Sequence, residues 1–80
     1  MHEASIAAEI LMIVFTNIKA YNLKRVTLVL IKVGTFNAID KESLTFAFNA
    51  LTKGTACEGA TIDLVTIDGF ELLVEKIEGE

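Results

Sequence analysis

An apolar segment in the first half of the chain constrains the fold most. Residues 24–34, KRVTLVLIKVG, are predicted to form a strand that ends at Gly34. In an extended chain, successive side chains point to opposite faces. One face would then carry Val26, Leu28 and Leu30, and the other Val29, Ile31 and Val33. Apolar residues on both faces indicate a strand that is covered on both sides or lies in the centre of a sheet.

Two stretches with helical spacing flank this strand. Residues 5–21 repeat apolar side chains at helical intervals, and these are Ile6, Ala7, Ile10, Leu11, Ile13, Val14, Phe15 and Ile18. The second predicted helix covers residues 40–53, because Asp40 can cap its start and Gly54 can end it in a left-handed conformation. Its predicted buried stripe consists of Leu44, Ala47, Phe48 and Leu51, with Phe46 at the edge.

Two more strands are predicted near the C-terminus, at residues 60–67 and 70–78. The dipeptide Asp68-Gly69 between them is a strong signal for a two-residue hairpin, which would pair Val65 with Leu72 and Asp63 with Val74. The element order α-β-α-β-β predicts an α+β fold, a two-layer sandwich in which a small three-stranded mixed sheet carries both helices on one face. Without proline or a linker, residues 1–80 are predicted to form a single domain.

Composition narrows the classes of function. The net charge is −4 and the cations form no stripe, so neither nucleic acid nor a membrane is an expected partner. The longest apolar run, residues 10–15, is too short to span a bilayer. The single cysteine, Cys57, fits a reducing cytoplasm. Because 52% of the residues are hydrophobic, we expect a further buried surface, most simply in a homo-oligomer or against a missing partner.

The N-terminus is where the residues suggest chemistry. The amine of Met1, together with the amide and imidazole nitrogens of His2, can form fused chelate rings on one metal ion. Nitrogen sites of this kind suit Ni²⁺ and Cu²⁺. Glu3, a second chain or a recipient protein can supply the fourth position. Elsewhere no CxxC motif, phosphate loop or acid–base pair is identifiable, so we do not expect an enzyme, and Cys57 is interpreted as a structural loop residue.

Three segments, MHEASIA, VTLVLIKVG and ESLTFAFNALTKGTACEGATIDL, resemble in order the HypA family of nickel metallochaperones over about residues 1–67. The resemblance implies that Met1, His2 and Glu3 are the nickel-binding motif and that Ni(II) is delivered for NiFe-hydrogenase maturation, or in some organisms to urease. It implies the maturation GTPase HypB and the hydrogenase large subunit as partners. HypA proteins carry a zinc domain with paired CxxC motifs after the segment matching ATIDLVTI; here a tight turn near residues 68–69 would replace it.

Two interpretations of the whole chain stay open at this point. The first is a nickel metallochaperone module. The alternative is an interaction or oligomerisation module that retains the fold and binds maturation partners through an apolar sheet surface without moving metal. Glu3 likewise has two possible roles, because it can orient or ligate the metal or simply favour the start of the first helix.

Overall fold

The predicted order of elements is confirmed in a computed structural model that describes residues 3–80. The elements are α1 (Glu3–Tyr21), β1 (Val26–Gly34), a 3₁₀ turn (Thr35–Asn37), α2 (Lys41–Thr52), β2 (Thr61–Ile67) and β3 (Leu72–Gly79). The sheet has the order β2-β1-β3, with β1 parallel to β2 and antiparallel to β3. The α+β fold with a three-stranded mixed sheet is therefore confirmed, and the doubly apolar strand β1 lies in its centre.

The predicted hairpin between the last two strands is wrong. β2 and β3 are not neighbours, because each pairs with a different edge of β1. Val65 lies opposite Lys32 of β1 rather than opposite Leu72 of β3, and Val74 lies opposite Ile31. Residues 68–70 form a wider bend instead of the predicted two-residue turn. A two-residue turn joins adjacent strands, whereas the four residues 68–71 reach from one side of β1 to the other.

The connection between β2 and β3, residues 68–71, crosses the end of β1. The Gly34 N–H donates to the carbonyl of Glu71 at 2.6 Å, and the Phe36 N–H donates to the carbonyl of Gly69 at 3.1 Å. The crossing backbone therefore provides acceptors for the last residues of the central strand. It also lies directly against Gly34, where a side chain would overlap it.

The core lies between the two helices and one face of the sheet. Its buried side chains are Ile6, Ala7, Ile10, Val14, Val26, Val29, Ile31, Leu44, Phe48, Cys57, Ala60 and Ile62. The pairing of β1 with β3 is irregular between Val26 and Leu28. Because an irregularity of this kind shifts the alternation of side chains, Val26 is buried on the same face as Val29. The predicted grouping of Val26 with Leu28 and Leu30 is therefore wrong.

The buried stripes of both helices are narrower than predicted. Ile13 and Phe15 of α1 are 46% and 40% exposed, and Leu51 of α2 is 45% exposed. Thr52 takes a core position instead, with its hydroxyl donating to the carbonyl of Phe48 at 2.9 Å. A helix at the surface of a two-layer domain meets neighbours on one side only, so about a third of its circumference is buried.

α1 is long and apolar enough to cross a membrane when judged by length and composition alone. In this fold, however, its residues Ile6, Ala7, Ile10 and Val14 are buried in the domain core. The rest of the helix is largely exposed, including Met12, Ile13 and Phe15. The absence of a membrane partner therefore stays a prediction.

The sheet face opposite the helices stays open. Leu28 and Leu30 lie half-buried along its centre, and Val65 and Leu73 on the flanking strands are exposed. Lys32 lies on β1 between Val65 and Leu73 and forms an ion pair with Glu75 at 3.3 Å. The apolar residues that exceed the needs of the core are therefore partly located on an uncovered sheet face.

Candidate metal site

Of the three predicted metal ligands, Glu3 is the one that lies within the described residues 3–80. Met1 and His2 lie outside the described residues. Glu3 is the first residue of α1 and is partly buried. Its Oε2 atom lies 3.5 Å from the backbone nitrogen of Asp40 and accepts a long hydrogen bond from it. This contact brings the beginning of α1 against the beginning of α2.

Asp40 caps α2, as its place in the sequence predicted. Its carboxylate accepts hydrogen bonds from the Ser43 hydroxyl at 2.6 Å and from the Ser43 N–H at 3.2 Å. The Ser43 hydroxyl, and then the backbone N–H, hold the pKa of Asp40 below its usual value. The carboxylate is therefore ionised at neutral pH and occupied as a helix cap. Its backbone N–H, not its side chain, makes the contact with Glu3.

Both helices begin at this end of the domain. Free N–H groups give the start of a helix a partial positive charge. The Glu3 carboxylate lies in the first turn of α1 and contacts the residue that caps α2. Its negative charge is therefore close to the partial positive charge at the start of both helices. Glu3 is therefore tied to the start of both helices.

Residues 3–80 do not bring three histidine, cysteine, aspartate or glutamate side chains together as a possible metal site. Cys57 lies between α2 and β2 and is completely buried, and this burial raises the pKa of its thiol. A buried neutral thiol is a poor metal ligand. Cys57 thus lies in the core, deeper than the semi-buried loop position that the sequence suggested.

Two features of this end of the domain were not predicted. One is the contact of Glu3 with Asp40, residues 37 positions apart. The other is a stacked pair of exposed rings, Phe36 and Phe70. No local sequence pattern predicts either contact, because both join residues that are far apart in the sequence.

Comparison with known proteins places the chain in a family. A family model described as "Hydrogenase/urease nickel incorporation, metallochaperone, hypA" matches residues 1–78. The chain belongs to the HypA family. The hydrogenase maturation factor HypA of Azotobacter chroococcum mcd 1 is 38% identical to this chain over 69 residues. That of Trichodesmium erythraeum (strain IMS101) is 39% identical to it over 70 residues. These alignments cover 86% and 88% of this chain.

The chain spans about three fifths of the length of these HypA relatives, 61% and 59% respectively. A longer alignment, with the HypA of Paracoccus denitrificans (strain Pd 1222), has 32% identity over 78 residues and covers 98% of this chain and 69% of the relative. The relatives therefore contain sequence that these alignments do not cover.

The fold is also that of solved HypA structures. The solution structure of the Ni metallochaperone HypA from Helicobacter pylori superposes with a TM-score of 0.72 at 20% identity, covering 95% of this chain and 72% of the other. A second solution structure of a HypA protein gives a TM-score of 0.67 at 20% identity. At this identity the likeness establishes the α+β fold only.

Proposed function

We propose that this chain is a nickel-binding module that delivers Ni(II) for the maturation of NiFe-hydrogenase or urease. The sequence Met1-His2-Glu3, at the start of a chain that matches the HypA model over residues 1–78, carries this proposal. The Met1 amine and the His2 amide and imidazole are the ligands, and Glu3 assists. The module acts in the cytoplasm as a carrier, without catalysis and without a membrane.

An incomplete ligand set supports the role of a carrier. Three nitrogens from the chain terminus leave one position of a four-coordinate Ni²⁺ site open. A recipient protein can enter at that position and begin ligand exchange. We propose the maturation GTPase HypB and the hydrogenase large subunit as partners in this transfer.

Glu3 is proposed to position the terminus by its contact with the Asp40 N–H. A glutamine at position 3 keeps a side-chain oxygen that can accept the hydrogen bond from the Asp40 N–H, whereas an alanine has none. We expect Glu3→Gln to keep the nickel dissociation constant within about threefold of the unmodified protein, a difference below 1 kcal/mol. Glu3→Ala should weaken binding by about tenfold, the effect of losing a group that orients metal ligands.

Calorimetric titration of both Glu3 variants with Ni²⁺ measures this difference, and circular dichroism of each variant checks that α1 is intact. Equal and severe loss in Glu3→Gln and Glu3→Ala would contradict the positioning role. That result would instead assign the carboxylate to direct ligation, for which an amide is a poor substitute.

The connection between β2 and β3 is proposed to stand where longer HypA proteins carry their zinc domain. Only residues 68–71 join the two strands, while the relatives are much longer than this chain. The end of β2 and the start of β3 lie on either side of β1 at the same end of the sheet. Either a short crossing or an inserted domain is therefore compatible with the sheet. Residues 1–80 then act as a single nickel-binding domain.

Delivery of nickel is tested in cells that lack their own HypA. We expect the chain to restore nickel-dependent hydrogenase activity, and we expect His2→Ala, expressed at the same level, not to restore it. Restoration by both proteins equally would contradict a nickel role for the terminus. Restoration by neither, while the unmodified protein binds nickel in solution, would contradict delivery and leave binding alone.

An interaction module is the second candidate function, favoured by the open sheet face. Leu28, Leu30, Val65 and Leu73 give this face apolar residues on all three strands. A homo-oligomer formed through this face is the simplest form of the alternative. Sedimentation equilibrium at several concentrations tests it, because a strictly monomeric mass at high concentration would contradict self-association.

A further inference from the structure

Two exposed aromatic rings stack at the end of the sheet where β1 stops. The ring centroids of Phe36 and Phe70 lie 4.8 Å apart, with 25° between the ring planes. The two side chains are 69% and 74% exposed, so each ring buries little more than the side that faces the other. Exposed apolar surface of this kind indicates an interaction site when it is held in a fixed arrangement.

Hydrogen bonds fix the two loops that carry the rings. The Phe36 N–H donates to the carbonyl of Gly69 at 3.1 Å. The Asn37 side-chain amide donates to the carbonyl of Phe70 at 2.8 Å and to that of Glu71 at 3.3 Å. The backbone that carries both rings is therefore fixed before any partner binds, which lowers the conformational entropy lost on binding. Aromatic side chains are frequent hot spots of protein interfaces.

The segments around the rings carry negative charge only. Residues 35–40 and 67–72 contain no lysine or arginine, and their carboxylates are Asp40, Asp68 and Glu71. The nearest lysines in the sequence, Lys32 and Lys41, each lie beside another carboxylate, that of Glu75 and that of Asp63. The face of an aromatic ring is electron-rich, and the charged residues nearest to Phe70 in the sequence are carboxylates. Both features favour a cation.

We propose that Phe36 and Phe70 form a docking platform for a partner-protein segment that presents arginine or lysine side chains among apolar ones. A guanidinium stacks on the exposed rings, and Asp68 and Glu71 provide the opposite charge. Two copies of this chain do not fit platform to platform, because that contact would bring like charges together. The platform needs neither Glu3 nor a bound metal ion, so its test is separate from that of nickel binding.

A short peptide of alternating leucine and arginine is the probe. Its citrulline counterpart has the same shape without the charge. In NMR titrations we expect saturable shifts of the Phe36 and Phe70 ring signals with the arginine peptide. The citrulline peptide should bind about three- to fivefold more weakly, the factor expected for an exposed cation–π contact. Equal binding of the two peptides would overturn the proposal.

Matched variants locate the site. Phe70→Ala should weaken binding of the arginine peptide by a similar factor. The double variant Asp68→Asn with Glu71→Gln, which keeps both rings, should weaken it by the same factor. Phe46→Ala is the control, because Phe46 is 79% exposed on α2, and it should bind as the unmodified protein does. Ring shifts at Phe46 instead of the platform, or an unchanged double variant, would overturn the proposal. Self-association that Phe70→Ala abolishes would also overturn it, since a second copy would then be the occupant.

Discussion

Gly34→Ala is expected to lower the free energy of unfolding by about 3 kcal/mol or more, at the upper end of the cost of overpacking. Gly34 has φ −69° and ψ 141°, a conformation open to any residue, so backbone preference is not the reason. A Cβ at this position overlaps the carbonyl of Gly69 and the nitrogen of Phe70. These are backbone atoms, which cannot rotate away as a side chain can.

Urea denaturation of Gly34→Ala measures the effect. Thr35→Ala is the matched control, because Thr35 is the next residue and is exposed. Its stability should lie within about 0.5 kcal/mol of the unmodified protein. A Gly34→Ala variant as stable as the control would mean that residues 68–71 do not cross the end of β1, and would restore the hairpin as a possibility.

Phe48→Ala should lower the free energy of unfolding by about 3–5 kcal/mol, the usual cost of removing a buried aromatic side chain and leaving a cavity. Phe48 of α2 is completely buried in the core between the two helices and the sheet. For a domain of this size, such a loss is a large part of the total stability, which is about 0.05–0.15 kcal/mol per residue. The variant should therefore be partly unfolded near physiological temperature.

Phe46→Ala is the matched control, because it removes the same side chain from the exposed side of the same helix. Phe46 is 79% exposed, so its loss should change stability by no more than about 0.5 kcal/mol. Thermal unfolding followed by circular dichroism compares the two variants. Similar midpoints for both would contradict the orientation of α2 on the sheet.

Local signals in the sequence predicted the elements but not all of their neighbours. The capping residue Asp40 was sufficient to predict α2, and the apolar segment of residues 24–34 was sufficient to predict the central strand. The hairpin predicted from Asp68-Gly69 is wrong, because residues 68–70 form a wider bend and the connection passes across β1. The dipeptide is a local signal, whereas the pairing of both flanking strands with β1 depends on the whole fold.

The candidate site was predictable only in part, for a similar reason. The motif Met1-His2-Glu3 is contiguous, so its chelating potential can be recognised from the residues themselves. The anchoring of Glu3 by the Asp40 N–H joins residues 37 positions apart, and only the fold shows it. The aromatic platform of Phe36 and Phe70 likewise depends on the crossing of two connections.

The central claim is that the chain terminus itself binds nickel, and a Ni²⁺ titration near neutral pH tests it most directly. The untagged protein is compared with His2→Ala and with a copy extended at the N-terminus, by calorimetry and by the visible d–d absorption band. We expect binding and a d–d band in the untagged protein alone, because the extension converts the Met1 amine into an amide and His2→Ala removes the imidazole. Equal binding by all three proteins, or by none, would contradict the proposed site.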